Sequence, residues 1–406
     1  MSLPYPTVAV IGGGASGILA ALTAAEVPGR RVLLLEKQQR IGRKLLATGN
    51  GRCNLSNWNA LPSAYFGTDA AFAVPALEAF SPLDVHRFFS HLGLLTVTEE
   101  NGRIYPLSDS SNSVLDVLRF ALDRAGVEQR CSFPVENIRR SGSGFLLSGG
   151  SETLTADAVI LACGGAAGAK LGGCTDGYRL AAQLGHGRTA LHPSLTRIRT
   201  APEFPRSLKG IRVQTKLRLS RQDETLASVE GEVQFTETGV SGPAGFDLSR
   251  AASFGGDGLT LHLRLLPYDE PAVRSLLDAK IAAFPMLEAS ELFTGMLHNR
   301  LGRVVVKAAG IPAALPFSSL SEDQITAAVS RCCDFCLPVL GVDGFDAAQV
   351  TAGGLQTDAF SPETLESRIV PGFFACCEVL DIDGPCGGYN LQWAWASGRL
   401  AGRLGA

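Results

Sequence analysis

At 406 residues the chain exceeds one ordinary core of about 150 residues, so two or three domains are expected, one of them an insertion. Hydrophobic residues make up 46% and charged residues 18%, which excludes a disordered chain; a net charge of -3 without a long basic run gives no reason for a nucleic-acid or membrane partner and leaves a small molecule. The N-terminus shows no secretory signal, no window nears the roughly 20 apolar residues of a membrane span, and ten scattered cysteines read as reduced thiols, so a cytoplasmic location is expected, with the oligomeric state open.

Residues 7–11 (TVAVI) form an apolar, β-branched run. A glycine cluster follows, then an alanine-rich stretch from Ala15 to Val27 with helical character, stopped at Pro28-Gly29. Residues 31–35 (RVLLL) predict a second buried strand. Together these make a β-α-β unit, half of a doubly wound α/β fold of Rossmann type. An amphipathic helix is predicted over 113–125, short strands over 127–131 and 145–147, and a fully buried strand over 158–163. From Ser194 to Leu266 the pattern changes to alternating stretches such as KLRLS and LTLHLRL, which predict an antiparallel barrel or sandwich. Residues 270–336 read as helices broken at Pro285 and across Gly310 to Pro316. In the last 40 residues GFFACC is strand-like and YNLQWAWASGRLAG helix-like, so the tail is expected to rejoin the first sheet. The expected division is an outer cofactor domain of 1–190 and 347–406, an inserted barrel of 191–268 and 337–346, and a helical subdomain of 269–336.

The glycine cluster fits G-x-G-x-x-G at Gly12, Gly14 and Gly17, with Ala15 and Ser16 between. The first glycine makes the turn, the second admits a pyrophosphate, and the third lets helix pack on strand. A pyrophosphate would lie against free N–H groups at the helix start. Glu36, at the end of the second strand, is placed to accept from ribose hydroxyls. A glycine turn without ligand is the alternative, and the strand before, the helix after and the acid beyond together outweigh it.

FAD rather than NAD is read from two further segments. One is the stretch from Gly42 to Asn54, where Arg43 and Lys44 precede Thr48, Gly49, Asn50, Gly51, Arg52, Cys53 and Asn54; it suits a loop that approaches phosphate and ring atoms, the alternative being a plain surface loop. The other is 373–392, a strand ending at Glu378, expected on the ribitol, and a Gly-Gly pair opening a helix through Gly388, Tyr389, Asn390, Leu391 and Gln392, expected at the flavin pyrimidine edge. Lys37, Val135, Ala162, Cys163, Gly164 and Asp381 complete the candidate cofactor contacts. Asn50, Arg52 and Tyr389 are the candidates for the reactive face. No second G-x-G-x-x-G follows an apolar strand after residue 17, so NAD(P)H, as a candidate donor, is expected to share the open flavin face.

VAVIGGGASG, GRKLLATGNGRCNLSN, NGRIYPLSDSS, TDGYRLAAQLGH, VTAGGL and EVLDIDGPCGGYNLQWAWASG resemble the signature blocks of the BaiN-like (YhiN-like) NAD(P)/FAD-dependent oxidoreductase family, over nearly the whole chain. The resemblance implies a two-dinucleotide-type FAD domain, an inserted β-barrel and a small helical domain. It also implies an oxidoreductase, with reduction of a steroid-like enone and oxidation of small amines among the attributed activities. Three cysteines depart from the pattern: Cys163 and Cys386 stand where threonine is usual and Cys377 where glycine is usual.

Weaker signals remain. Cys333-Asp334-Phe335-Cys336 is a C-x-x-C, read as small fillers in a helix in preference to a redox pair; with no second C-x-x-C or H-x-x-x-H following, no metal is expected. Cys377 and Cys386 are read either as a thiol relay to the flavin or as inert. His192, Arg103 and Tyr105 are either proton donors or structural residues. The leading expectation is an FAD-dependent oxidoreductase that moves a hydride through flavin N5 to or from a small organic substrate, with reduction of an activated C=C bond by NAD(P)H as the specific form. An amine oxidase using oxygen is one alternative; a non-catalytic flavin-binding sensor or nucleic-acid-modification partner is the other, with the near-neutral charge weighing against nucleic acid.

Overall fold

A computed structural model describes residues 5–222 and 224–405; residues 1–4, 223 and 406, at the ends of the expected outer domain and within the expected barrel, lie outside the described residues. The chain divides into two compact units, one running to His192 and resuming at Ala348, the other spanning Pro193–Ala347.

The first unit is built on a parallel sheet that, among the described residues, orders its strands Phe373–Ala375, Ala158–Leu161, Thr7–Ile11, Arg31–Leu35 and Glu128–Arg130. Burial on both faces explains why these strands are near-continuous apolar runs. Val8, Ala9 and Val10 on the central strand are fully buried. Register pairs Ile11 with Leu35 on one side and Leu161 on the other, so the strand ends align along the edge where such sheets take ligands. The first helix, Ala15–Ala24, stops short of the expected Val27 because Pro28 disfavours helical geometry in the residue before it.

The tail supplies the strand Phe373–Ala375 and a helix, Tyr389–Gly402, that packs on Ala15–Ala24. The contact is close because glycines face it: a Cβ on Gly398 would lie 2.4 Å from the Ser16 carbonyl oxygen, and one on Gly402 would lie 2.6 Å from that of Ala20. The amphipathic helix expected over 113–125 spans Ser111–Arg124. Elements absent from the sequence reading are the helices Val74–Ala79 and Pro82–His91, the second with a Ser81/Asp84 capping box, and a small antiparallel sheet of Ser56–Asn57, Thr96–Thr98 and Arg103–Pro106.

In the second unit six described strands close an antiparallel barrel: Ile198–Thr200, Arg212–Arg221, Glu224–Thr236, Gly239–Ser241, Leu259–Arg264 and Phe335–Val342. Strand alternation turns Leu217, Leu219, Leu261 and Leu263 inward, each fully buried, so side chains fill the interior. One correction falls here. The span expected to hold only strands and turns of a barrel or sandwich also contains the helix Pro243–Gly255, which Pro243 opens and which buries Ala244, Leu248 and Ala252 at four-residue spacing. Helices Glu270–Ala283, Asn299–Ala308 and Glu322–Cys333 occupy the segment expected to be helical. They share one apolar core with the barrel, Val273, Leu277, Val305 and Ala328 clustering with Leu261 and Leu263. A second correction concerns the C-x-x-C. Asp334 caps the helix with φ -144° and Cys336 lies on the following strand, so the two thiols belong to different elements. No helix among the described residues is long and apolar enough to cross a membrane.

Candidate functional site

At the aligned strand ends the fingerprint glycines divide by function. Gly12 has φ +112°, and a Cβ there would lie 2.4 Å from the Ala162 carbonyl oxygen; at Gly17 it would lie 1.8 Å from that of Gly12. These two are required by turn and packing. A Cβ on Gly14 would meet nothing within 4 Å, so this position borders open space at the start of a helix that has no side-chain cap. Free backbone donors facing open space suit a phosphate. The Glu36 carboxylate accepts from the Gly13 N–H at 2.8 Å and the Gln38 N–H at 2.7 Å, clamping the turn from the neighbouring strand. A pocket beside it is lined by Gly12, Glu36, Lys37, Val135 and Cys163. Lys37 Nζ lies 3.3 Å from Asp176. Gly164 follows with φ +69°.

The segment after the second strand is part helix, where the sequence reading has a loop. Arg43–Ala47 form a helical turn that Thr48 closes by donating from Oγ1 to the Leu45 carbonyl at 2.7 Å. Gly49, Asn50, Gly51 and Cys53 then lie in the left-handed region, at φ 58°, 57°, 88° and 63°. Within this turn the Arg52 N–H donates to the Gly49 carbonyl at 3.2 Å and the Cys53 N–H to the Thr48 carbonyl at 2.9 Å. Lys44 Nζ meets Glu378 Oε2 at 2.8 Å, and Glu378 Oε1 accepts from the Thr351 N–H at 2.8 Å, so the helical turn and the tail meet. Arg43 bonds Gln38 on the surface. Arg52 lies against Asp109, 2.5 Å from Glu99, and its guanidinium stacks 4.1 Å from the Tyr105 ring centre. Hydrogen bonds to Glu99 and Asp109 push its pKa further up. Its charge is committed to those acids.

In the tail, Gly388 has φ +102°, and a Cβ would lie 2.4 Å from the Ser56 carbonyl oxygen and 2.8 Å from Asn54 Oδ1. The helix Tyr389–Gly402 starts there without a side-chain cap. The neighbouring side chains bond to protein. Asn390 accepts from the Gly384 N–H at 2.9 Å and donates to its carbonyl at 2.7 Å. Gln392 is fully buried, accepts from Ser56 Oγ at 2.6 Å and donates to the Phe80 carbonyl at 2.7 Å. Asp381 accepts from Thr68 Oγ1 at 2.6 Å. Tyr389 packs edge-on to Tyr65, whose hydroxyl donates to the Tyr389 carbonyl at 2.9 Å, and Leu391 packs against the core. The structure therefore gives Asn390, Gln392 and Asp381 anchoring bonds within the protein. What the helix start offers is its main chain, together with Asn54 Oδ1, buried and without a hydrogen-bond partner among the described residues. Ser56, Asn57 and Thr351 were missed as site-building residues, although they sit inside or beside the quoted sequence blocks; Asn57 donates to the Gly387 carbonyl at 2.9 Å.

The cysteines near this region are thiols. Burial pushes Cys377 up to about 11 and Cys53 up to about 12, and it raises Cys163 well above the usual range. Neutral thiols are poor nucleophiles, which argues against a relay through Cys377. Cys377 takes φ +69° and donates its N–H to Ser397 Oγ at 2.9 Å. His192 lies in the short strand His192–Ser194 at the end of the first unit.

Three comparisons bear on this arrangement. The family model described as the HI0933-like protein Rossmann domain matches residues 6–404. A 3-dehydro-bile acid delta(4,6)-reductase of Clostridium scindens is 38% identical over 404 residues, 98% of each chain. A ribosomal RNA dihydrouridine synthase of Escherichia coli is 29% identical over 392 residues, 96% of this chain and 95% of that one. Among solved structures, the 3-ketosteroid delta1-dehydrogenase of Sterolibacterium denitrificans is similar with a TM-score of 0.45 and 15% identity, covering 98% of both chains. The chain belongs to the HI0933-like Rossmann family.

Proposed function

We propose that the chain reduces a carbon–carbon double bond conjugated to a carbonyl group in a small organic substrate, with NAD(P)H as donor. The observation that carries this reading is the 38% identity, across 98% of both chains, to a protein named as a delta(4,6)-reductase of a 3-dehydro bile acid. A dihydrouridine synthase also saturates a double bond conjugated to a carbonyl, so the two named activities share one chemistry on different substrates.

The outer segments, 1–190 and 347–406, are assigned to the cofactor. Two observations support the fit of FAD: the open space at Gly14 and the unpartnered buried Asn54 Oδ1. Gly12, Gly14, Ala15, Ser16 and Gly17 would hold the pyrophosphate against the helix start, and Glu36 the adenosine ribose. Lys44 and Glu378 would hold the ribitol side. Main-chain N–H groups from Gly388 to Leu391 would face the flavin pyrimidine edge, with Asn54 Oδ1 accepting from a ring N–H. Bound FAD supplies hydride transfer at N5. The uncapped start of the tail helix would present the positive end of its dipole to the bound group, where it would favour a gain of negative charge.

The test is anaerobic reduction of the purified protein with NADH and NADPH in parallel, followed by mixing with a 3-oxo-4-ene steroid. The expected result is flavin reoxidation with formation of the saturated ketone. Reoxidation by oxygen alone, with stoichiometric peroxide, would overturn the reading in favour of an oxidase. The Escherichia coli relative motivates a second reading, in which uridine in ribosomal RNA is the substrate. Replacing the steroid with ribosomal RNA lacking dihydrouridine, and reading the gain of hydrogen by mass spectrometry, separates the two.

A further inference from the structure

Three strands run side by side in one wall of the barrel, and their register sets Arg218 opposite His262 and His262 opposite Cys336. Leu219, Leu263 and Leu337, at the alternate positions, belong to the buried core, so this row faces away from the interior. The helix Glu322–Cys333 ends beside it, and the capping residue Asp334 brings a carboxylate to the same place. His262 Nδ1 lies 2.8 and 3.0 Å from the two Asp334 oxygens. Cys336 Sγ lies 3.3 Å from that nitrogen and 3.5 Å from Asp334 Oδ2.

We propose that His262, Asp334 and Cys336 form a three-ligand site for a divalent cation of the zinc class. Ligand atoms about 2.0 to 2.3 Å from a tetrahedral zinc lie about 3.3 to 3.6 Å from one another, and the observed separations reach that set by shifts of a few tenths of an ångström. Sulfur with imidazole selects zinc-class ions over magnesium or calcium. The other ring nitrogen, Nε2, is 2.9 Å from Ser220 Oγ, and Ser220 is fully buried. With Nε2–H donating to that oxygen, the Nδ1 lone pair is left for the cation. The Asp334 side chain is 47% exposed, which leaves the fourth position to water. Thiolate and carboxylate carry two negative charges, matched by the cation, while Arg218 stands 3.8 Å from Asp334 Oδ2. On binding, the thiol proton of Cys336 passes to solvent and the sulfur–metal bond takes its place, so uptake weakens as pH falls. The missing second C-x-x-C hid this site because its ligands come from two strands and a helix cap, a pairing visible only in the register.

The experiment uses the full-length holoprotein, stripped with a chelator, loaded with zinc and dialysed against metal-free buffer, with metal content read by mass spectrometry. Cobalt loading gives a second readout through ligand-field bands to the red of the flavin absorption. One equivalent of zinc is expected, together with a thiolate–cobalt signature. C336S and H262A should each lower affinity by more than about tenfold, S220A by about tenfold, and C333S should leave it unchanged. If C336S does not fold, D334N, altered at a half-exposed side chain, replaces it and should shift the cobalt spectrum. No retained zinc in the wild type, or retention unchanged in the ligand variants, would overturn the site and leave a hydrogen-bonded cluster.

Discussion

Glu36 illustrates how one side chain serves turn and ligand together. Its carboxylate holds the Gly13 and Gln38 N–H groups, and the same group is assigned to the adenosine ribose. Glu36→Ala should weaken FAD binding by about 1.5 to 3 kcal/mol, roughly tenfold to a hundredfold in dissociation constant, measured by flavin fluorescence on titration; an unchanged constant would remove Glu36 from the site. The buried thiols set an alkaline limit. Burial holds Cys53 and Cys332 up at about 12 and Cys377 at about 11, whereas unfolded thiols ionise near pH 8.5. Between those values the unfolded chain gives up protons that the folded chain keeps, so stability is complete below about pH 8.5 and falls as pH rises. Melting temperature should therefore drop between about pH 8 and about pH 10, and Cys332→Ala should flatten the drop. A pH-independent melting curve across that window would show that these thiols do not differ between the two states. Residue types were legible in sequence at Glu36 and Gly388. The partners of Gln392 and Arg52 were not, because each bonds to residues that only the tertiary fold brings near.

The contact between the first helix and the tail helix is set by Gly398 and Gly402 against Ser16 and Ala20. Gly398→Leu should push the helices apart and destabilise the protein by about 1 to 3 kcal/mol through overpacking. Because Ser16 lies in the first turn of the helix that the fingerprint opens, FAD affinity should fall with it, although the fingerprint glycines and Glu36 are untouched. Chemical denaturation paired with FAD titration checks this, and a stability loss with unchanged affinity would uncouple the helix contact from the site. The strands TVAVI and RVLLL and the tail helix stand in the structure as the residues predict, because long apolar runs and a strong glycine start leave few alternatives. The helix Pro243–Gly255 escaped notice for the opposite reason. Its turn of glycine and proline reads as a loop between strands, and its apolar spacing is visible only once the barrel wall is known to cover it.

At the scale of the molecule, the buried strand Ala158–Leu161 takes its outer neighbour from Phe373–Ala375. Removing residues 372–406 should therefore expose apolar sheet edge as well as abolish FAD binding, so the truncated chain should be recovered aggregated; a soluble, folded truncation that still binds FAD would contradict the assignment of the tail. The same pairing has a consequence for synthesis. More than two hundred residues separate the two strands, which at ordinary elongation rates is roughly ten to forty seconds of translation. During that interval the N-terminal half waits with an open edge while Pro193–Ala347, contiguous in sequence and holding its own core, emerges and can fold. Chains stalled on the ribosome just before Phe373 should resist protease across the barrel and be cut in the first two hundred residues, the two segments becoming equally resistant only after release. The order of assembly would then run against the order of synthesis: the middle matures first, and the parallel sheet of the first unit receives its outer strand from the last piece to leave the exit tunnel.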